Sequence, residues 1–402
     1  MSYRDLNPSL RTIMTPGPVE TEPRVLRALS TPTCRTIRPR TMEMLRKLFQ
    51  TENKWAFPVD GTSRAGLEAV LCSIIEQGDV VLVPIYGRFG HLLTEIAQRY
   101  GAEVVNMETS WGQVFDPAEV IQEIERVKPK IVAMVHGETS TGCMQPLKEI
   151  GEACREKDIL FVVDAVASIG GVDVRVDEWK IDACIGGTQK CLSAPSGMAP
   201  ITFNSRVEAL LLQRKNIEQG LAEQKASEAV RSRIIRSNYF DLSQLMDYWS
   251  PTRLNHHTEA TSMLYALRES LRIVLEEGLE ERFARHRFHE RALVKGLQAM
   301  GLELYGDSRS KLPVVTCISI PEGIDGESVR SMLLRDFEIE IASSFGPLKG
   351  KIWRIGAMGF SCRKKNILSV LAALEAVLVR HGAKINPSKG VQAALDVYQE
   401  IA

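Results

Sequence analysis

Between Gly61 and Asn204 the chain repeats one pattern: a short run that is apolar at nearly every position, then a longer amphipathic stretch. VVLVPI (80–85), AEVVNM (102–107), IVAMVHG (131–137), ILFVVDAV (159–166) and ACIGGTQ (183–189) read as strands. AGLEAVLCSIIEQGD (65–79), FGHLLTEIAQRYG (89–101), DPAEVIQEIERVKPK (116–130) and PLKEIGEACREKD (146–158) read as helices, the third opened by an Asp cap. A strand that is apolar on both faces must be covered on both faces. Strands separated by helices meet that need as a parallel sheet with helices packed above and below. The expected fold class is therefore α/β, and binding residues are expected at the carboxyl ends of the strands.

The 402 residues exceed one typical core, which predicts a large domain and a smaller one. From His257 to Gly301 the pattern is helical. Beyond it VVTCISIP, GESVRSMLLRDF, IEIASSF, KIWRIGAM and KKNILSVLAALEAVLVRHG predict a small α+β unit, with a peripheral helix in 383–402. The division expected is an arm over 1–20, a large domain over 21–275 and a small one over 276–402.

Lys+Arg and Asp+Glu both number 50, so net charge is zero and no basic tail exists to hold nucleic acid or a membrane surface. A small neutral or anionic metabolite is the expected partner. The eight cysteines form no CxxC pair and fall mostly in apolar stretches, as reduced core thiols do. MSYRDLNPSLRTIM carries no apolar leader, and no apolar run reaches about 18 residues. The chain reads as a soluble cytoplasmic protein.

The polar residues at the strand exits carry the chemistry. In VDGTSRAGLEAV, Thr62, Ser63 and Arg64 fall at a helix start, which is either simply capped or an anion site. HGETSTG places the hydroxyls of Thr139, Ser140 and Thr141 after a strand, where a hydrogen-bonded turn would also use them. Asp164 ends the apolar FVVDAV and needs a partner there, structural or functional. Lys190 follows ACIGGTQ, and Phe89 in YGRFG precedes a helix. No GxGxxG is present, and GPLKGK (346–351) lacks the spacing and hydroxyl of a phosphate loop. A lysine that forms a Schiff base, a carboxylate for a pyridine nitrogen, a phosphate cup and a flat side chain together suit pyridoxal phosphate.

TPGPVE (15–20), DGTSRAGLEA (60–69), YGRFG (86–90), HGETSTG (136–142), VVDAVASIGG (162–171), GGTQKCLSAPSGMA (186–199), NHHTEAT (255–261) and KIWRIGAMG (351–359) are in order along nearly the whole chain. In these the chain resembles the class V, fold-type I pyridoxal-phosphate aminotransferases of the alanine–glyoxylate/serine–pyruvate group. YFDLSQLMDYWSPTRLNHHTEATSMLYALRE (239–269) looks most like the ureidoglycine-using branch, enzymes of purine catabolism. The resemblance implies a large domain with a mostly parallel seven-stranded sheet plus a small C-terminal α+β domain. It also implies transamination to glyoxylate, with pyridoxal 5'-phosphate as cofactor and small amino and oxo acids as substrates.

By that resemblance Lys190 bonds the cofactor aldehyde, Asp164 holds the pyridinium proton and Phe89 stacks on the ring. Thr62, Ser63, Arg64 and Gln189 match the phosphate cup, and Ser140 a contact near the cofactor hydroxyl. Thr258 matches a phosphate contact delivered by a neighbouring subunit, which implies a homodimer with composite sites. Arg354 matches the residue that grips the substrate carboxylate, a task suited to a guanidinium fork. Asn255 stands where alanine-using relatives carry tyrosine; its amide can donate to and accept from a ureido group, or it can cap the next helix. His256 and His257 have no metal-ligand partners at suitable spacing and are expected to pack or hydrogen-bond; no metal is expected.

One segment departs from the pattern. STPTCRTIRPRTMEML (30–45) is shorter than the family's spacing and has no Gly-[His/Gln]-x-Asp-Pro loop, whose glutamine holds substrate in the ureidoglycine branch. No residue here inherits that role. Besides ureidoglycine, two readings stay open: alanine or serine as donor, or a cofactor-binding chain with impaired turnover.

Overall fold

The computed structural model describes residues 11–32, 37–218, 221 and 234–400. Strands are numbered along the chain: β1 Thr12–Ile13, β2 Trp55–Gly61, β3 Val80–Ile85, β4 Glu103–Glu108, β5 Ile131–Val135, β6 Gly137–Glu138 and β7 Cys143–Met144. They continue as β8 Leu160–Asp164, β9 Ala183–Ile185, β10 Gly197–Phe203, β11 Val315–Ser319, β12 Ile339–Glu340, β13 Ala342–Ser343 and β14 Ile352–Gly356. Seven of them form the main sheet in the order β2-β10-β9-β8-β5-β3-β4. Every pairing is parallel except those of β10, which runs antiparallel to both neighbours.

The uninterrupted apolar runs become the inner strands. Every residue of β5, β8 and β9 is buried, and β3 is buried from Val81 on, whereas edge strand β4 leaves Glu103, Asn106 and Glu108 at least partly in solvent. Register then decides what meets what. Val135 pairs with Asp164, and Asp164 with Ile185, so the loops opening at His136, Ala165 and Gly186 leave the sheet side by side. Because β10 reverses direction twice over, β2 points the same way as β9 and ends at Gly61 on that same edge. Four loops from distant parts of the chain thus converge.

Three packing clusters support this edge. One is built from residues between Leu45 and Val274, and a second from Met14 and residues between Ala292 and Tyr398. A third joins them, with Val19, Ala167 and Cys191 against Val314, Cys317 and Met358. The amino-terminal residues are sewn into the second: β1 pairs parallel with β12, Met14 N–H donates to Glu340 O (2.9 Å), and Gly356 N–H donates to Met14 O (2.7 Å).

Several expectations change in detail. The strand expected over 183–189 stops at Ile185; Gly186 N–H still bonds Pro200 O of β10 (2.7 Å), and the chain leaves the sheet beyond it. The 257–301 helical stretch is two helices, Thr261–Glu277 and Leu279–Ala299, broken at Gly278, whose φ of 88° a helix cannot hold. IEIASSF divides into β12 and β13. The tail helix covers only Gly390–Gln399 and buries Ala394 and Val397, so one face belongs to the core rather than the periphery. Seven cysteines are buried free thiols, and Cys34 lies outside the described residues. Among the described residues no helix is long and apolar enough to cross a membrane.

Candidate active site

At the convergent edge lies a cavity of about 270 Å³ walled by Thr62, Ser63, Arg64, Phe89, Asp164, Gln189 and Lys190. Seven of the eleven residues singled out by sequence therefore share one space. Lys190 is 9% exposed, and its Nζ donates to the carbonyl of Pro16. Burial, with the Arg354 cation second, brings the Lys190 amine down to about 8. Gly17 is what lets the arm come so close. Its φ is 99°, and a Cβ there would stand 2.5 Å from Lys190 Cδ and 2.7 Å from Nζ.

Asp164 lines the same cavity, and its carboxylate accepts a hydrogen bond from Val166 N–H (2.9 Å). Burial pushes its carboxyl up to about 6. Such a carboxylate gains from a cationic partner, and a protonated pyridine nitrogen would be one. The helix Ser63–Ile74 starts at Thr62 without any side-chain cap, so no capping side chain claims its first N–H groups, and Thr62, Ser63 and Arg64 at that start line the cavity. Gln189 Nε2 donates to Ser63 Oγ (2.9 Å), fixing the second wall of this corner. At Gly187 a Cβ would fall 2.5 Å from Ser63 Oγ, so the corner closes only around glycine. A buried amine, a buried carboxylate and an uncapped helix start around one small cavity fit a phosphorylated pyridine aldehyde.

Ser140 and Arg354 stand just behind the wall. Ser140 is fully buried; its hydroxyl donates to Glu138 Oε1 (2.6 Å) and accepts from Arg88 N–H (3.1 Å), while its neighbour Thr139 reaches the cavity. Arg354, on β14, donates from Nε to Ser343 O (2.7 Å) and from Nη1 to Thr139 O (2.9 Å). Its guanidinium lies 4.6 Å from the Phe345 ring centre, and Arg88 lies 4.3 Å from that ring on its own account. No carboxylate of the described residues comes within 4.0 Å of Arg354, although it is only 6% exposed. Burial lowers its pKa to about 10, which leaves it a cation.

Asn255 and Thr258 lie elsewhere. They line a second cavity of about 360 Å³ with Arg38, Tyr248, Arg253 and Glu259, and within one chain they do not reach the Lys190 cavity. Arg38, from the shortened segment 30–45, is tied into this place. Its Nη2 donates to Glu259 Oε2 (3.0 Å), its Nη1 to Tyr248 O (3.0 Å), and its guanidinium sits 4.0 Å over the Tyr248 ring. Residues 33–36 of that segment lie outside the described residues, and from Arg38 the chain is helical to Phe49. His256 and His257 bond each other through Nδ1 (2.8 Å).

Two features at this edge carry no local sequence signal. Glu138 sits among the hydroxyls of HGETSTG, and no local pattern shows the arm at Pro16–Gly17 folding onto a lysine.

An open α/β sheet bearing this lysine–carboxylate cavity beside an uncapped helix defines a fold-type I pyridoxal-phosphate enzyme. The family model described as Aminotransferase class-V matches residues 35–350. The chain belongs to the class V aminotransferase family, whose cofactor is pyridoxal phosphate. It is 68% identical to the (S)-ureidoglycine–glyoxylate transaminase of Bacillus subtilis (strain 168), over 98% of this chain and 97% of that protein. The alignment spans 404 positions, more than the 402 residues here, so the relative has residues this chain lacks. The crystal structure of ureidoglycine-glyoxylate aminotransferase from Bacillus subtilis superposes with a TM-score of 0.93 at 67% identity, covering 98% of this chain and all of that one. The alanine–glyoxylate aminotransferase of Drosophila melanogaster is 34% identical over 90% of this chain and 91% of its own length.

Proposed function

We propose that this chain transfers an amino group to glyoxylate from (S)-ureidoglycine, releasing glycine and oxalurate, as a cytoplasmic homodimer with small-molecule substrates. The observation that carries the chemistry is that Lys190 and Asp164 line one buried cavity. The choice of donor is supported by the 68% identity to the Bacillus relative and by Asn255. The seven buried free thiols suit a reducing compartment. The split of the core near residues 274–292 suits an arm over 1–20, a large domain over 21–275 and a small one over 276–402.

Pyridoxal phosphate, when bound, supplies an aldehyde for amines and a ring that takes up the electrons of an α-carbanion. Lys190 would hold it, and the free Lys190 amine would move the proton at the donor's α-carbon. A Lys190 pKa near 8 keeps part of that amine unprotonated around neutrality. Asp164 holds the proton on the pyridine nitrogen, and Phe89 presents a flat face to the ring. Thr62, Ser63, Arg64 and Gln189 hold the phosphate, with Thr258 of a second copy beside them. Ser140 orients the cofactor hydroxyl from behind the wall. Arg354, buried without a carboxylate, takes that of the substrate, and Asn255 of the second copy pairs with the ureido group. The separate cavity that holds Asn255 and Thr258 supports this reading, since a site completed by a second copy would divide its residues in this way.

The test is a half-reaction spectrum of purified holoenzyme with ureidoglycine and with alanine. Ureidoglycine is expected to convert the cofactor absorbance, and Lys190→Ala to abolish both the lysine-bound band and turnover. Alanine conversion without ureidoglycine conversion would replace this reading with alanine–glyoxylate transamination, which the Drosophila relative favours. Loss of the band in neither protein would refute the assignment of Lys190.

A further inference from the structure

Glu138 is a fully buried carboxylate with no cation within 4.0 Å among the described residues, yet three donors point at it. Phe89 N–H reaches Oε2 (2.8 Å), and Ser140 N–H and Oγ reach Oε1 (2.9 and 2.6 Å). The helix Arg88–Arg99 that carries Phe89 has no side-chain cap of its own, its N-cap being Gly87. Glu138 at the end of β6 and Ser140 in the turn after it supply that cap, Glu138 to Phe89 N–H and Ser140 to Arg88 N–H.

The chain makes room for this contact. A Cβ on Gly87 would lie 2.3 Å from Glu138 Cγ, 2.5 Å from Cδ and 2.7 Å from Ser140 Oγ. Gly87 has φ 172°, an extended backbone that any residue adopts, so the close approach is the reason for glycine. YGRFG and HGETSTG therefore meet at one carboxylate. On its other side Thr139, next in the chain, offers its carbonyl to Arg354. Burial works against the charged form of Glu138, and the donors from Ser140 and Phe89, with Arg354 nearby, work for it.

We infer that Glu138 is a positioning residue of the active site, which sets the Phe89 ring against the cofactor plane and holds the Thr139 carbonyl under Arg354. This rests on the proposed roles of Phe89 and Arg354. Glu138→Gln keeps the shape but replaces one acceptor oxygen by a donor, which must face either Phe89 N–H or Ser140. Gly87→Ala pushes on the same carboxylate from the other side.

Hydrogen exchange of the apoprotein, cofactor circular dichroism of the holoenzyme and steady-state kinetics read the outcome together. In both variants, exchange over 86–92 should quicken and the visible dichroism of bound cofactor should change. Turnover should fall by about 10- to 100-fold, as an ångström-scale misplacement costs. The double variant should lose no more than the worse single one, since both act through one contact. Unchanged exchange at 86–92, or turnover within twofold of the parent, would overturn the inference, as would a fall in melting temperature with parental dichroism. If the parent enzyme transaminates neither ureidoglycine nor alanine, the functional reading fails instead. Exchange and dichroism still decide Glu138.

Discussion

Replacing Gly17 by alanine separates two costs that are usually confounded. The φ of 99° at this position costs an L-residue about 1–2 kcal/mol of stability. The second cost is local: the new Cβ would stand 2.5 to 2.8 Å from Lys190 Cδ, Nζ and Cε. Those atoms end a flexible side chain, so the lysine yields rather than the backbone. Reaching ordinary van der Waals separation moves its distal atoms by about 1 Å, and a shift of that size costs about 100-fold in rate. Gly78→Ala supplies the control, because its φ is 84° and no atom lies within 4 Å of the added Cβ. Both variants should lose about 1–2 kcal/mol in urea unfolding. Only Gly17→Ala should bind pyridoxal phosphate about 100-fold more slowly, followed by the rise of the lysine-bound absorbance in the apoprotein. Equal binding rates in the two variants would refute the reasoning, since Pro16–Gly17 would then not set the place of the amine.

The pH dependence of that binding follows from the same amine. Only unprotonated Lys190 attacks an aldehyde, so the rate should rise with pH and level off above about 8 rather than above the usual lysine value near 10.4. Arg354→Met removes a cation that lowers the Lys190 pKa, so the midpoint should move upward; a midpoint that stayed or fell would contradict the coupling. Arg354→Lys cannot reproduce the fork that bonds Ser343 O and Thr139 O. It should raise KM for both amino donor and glyoxylate by about tenfold or more with a smaller change in kcat, read from steady-state kinetics. Gly151→Ala puts a Cβ 1.9 Å from Trp179 O inside the helix Lys148–Glu156. It should lower stability by about 3 kcal/mol while the folded fraction keeps its specific activity, measured by urea midpoint and active-site titration.

The legible part of the fold was the part where one physical rule acts alone. Strands β3, β5 and β8 are enclosed by helices, so their sequences are apolar without alternation and announce themselves. Lys190 and Asp164 stood out because charged groups at the ends of such strands need a reason to be there. Strand β10 was missed. GMAPITF opens with glycine and carries Pro200, and its antiparallel place beside β2 depends on a partner 142 residues away. Glu138 escaped for a related reason: a carboxylate in a turn of hydroxyls looks solvated until Gly87, 51 residues earlier, is seen to close over it. The sequence named Asn255 and Thr258, but no periodicity could say that they face a different cavity from Lys190.

The arm that meets Lys190 owes its course to residues at the far end of the chain. Thr12 and Met14 are held by Glu338 and Glu340, and Gly356 clasps Met14 in return. A ribosome delivers residue 14 long before residue 356. From the completion of β10 at Phe203 until Gly356 has been added, then, the lysine has its sheet but not its roof, and the nascent protein cannot close the Lys190 cavity before the carboxyl-terminal strands emerge.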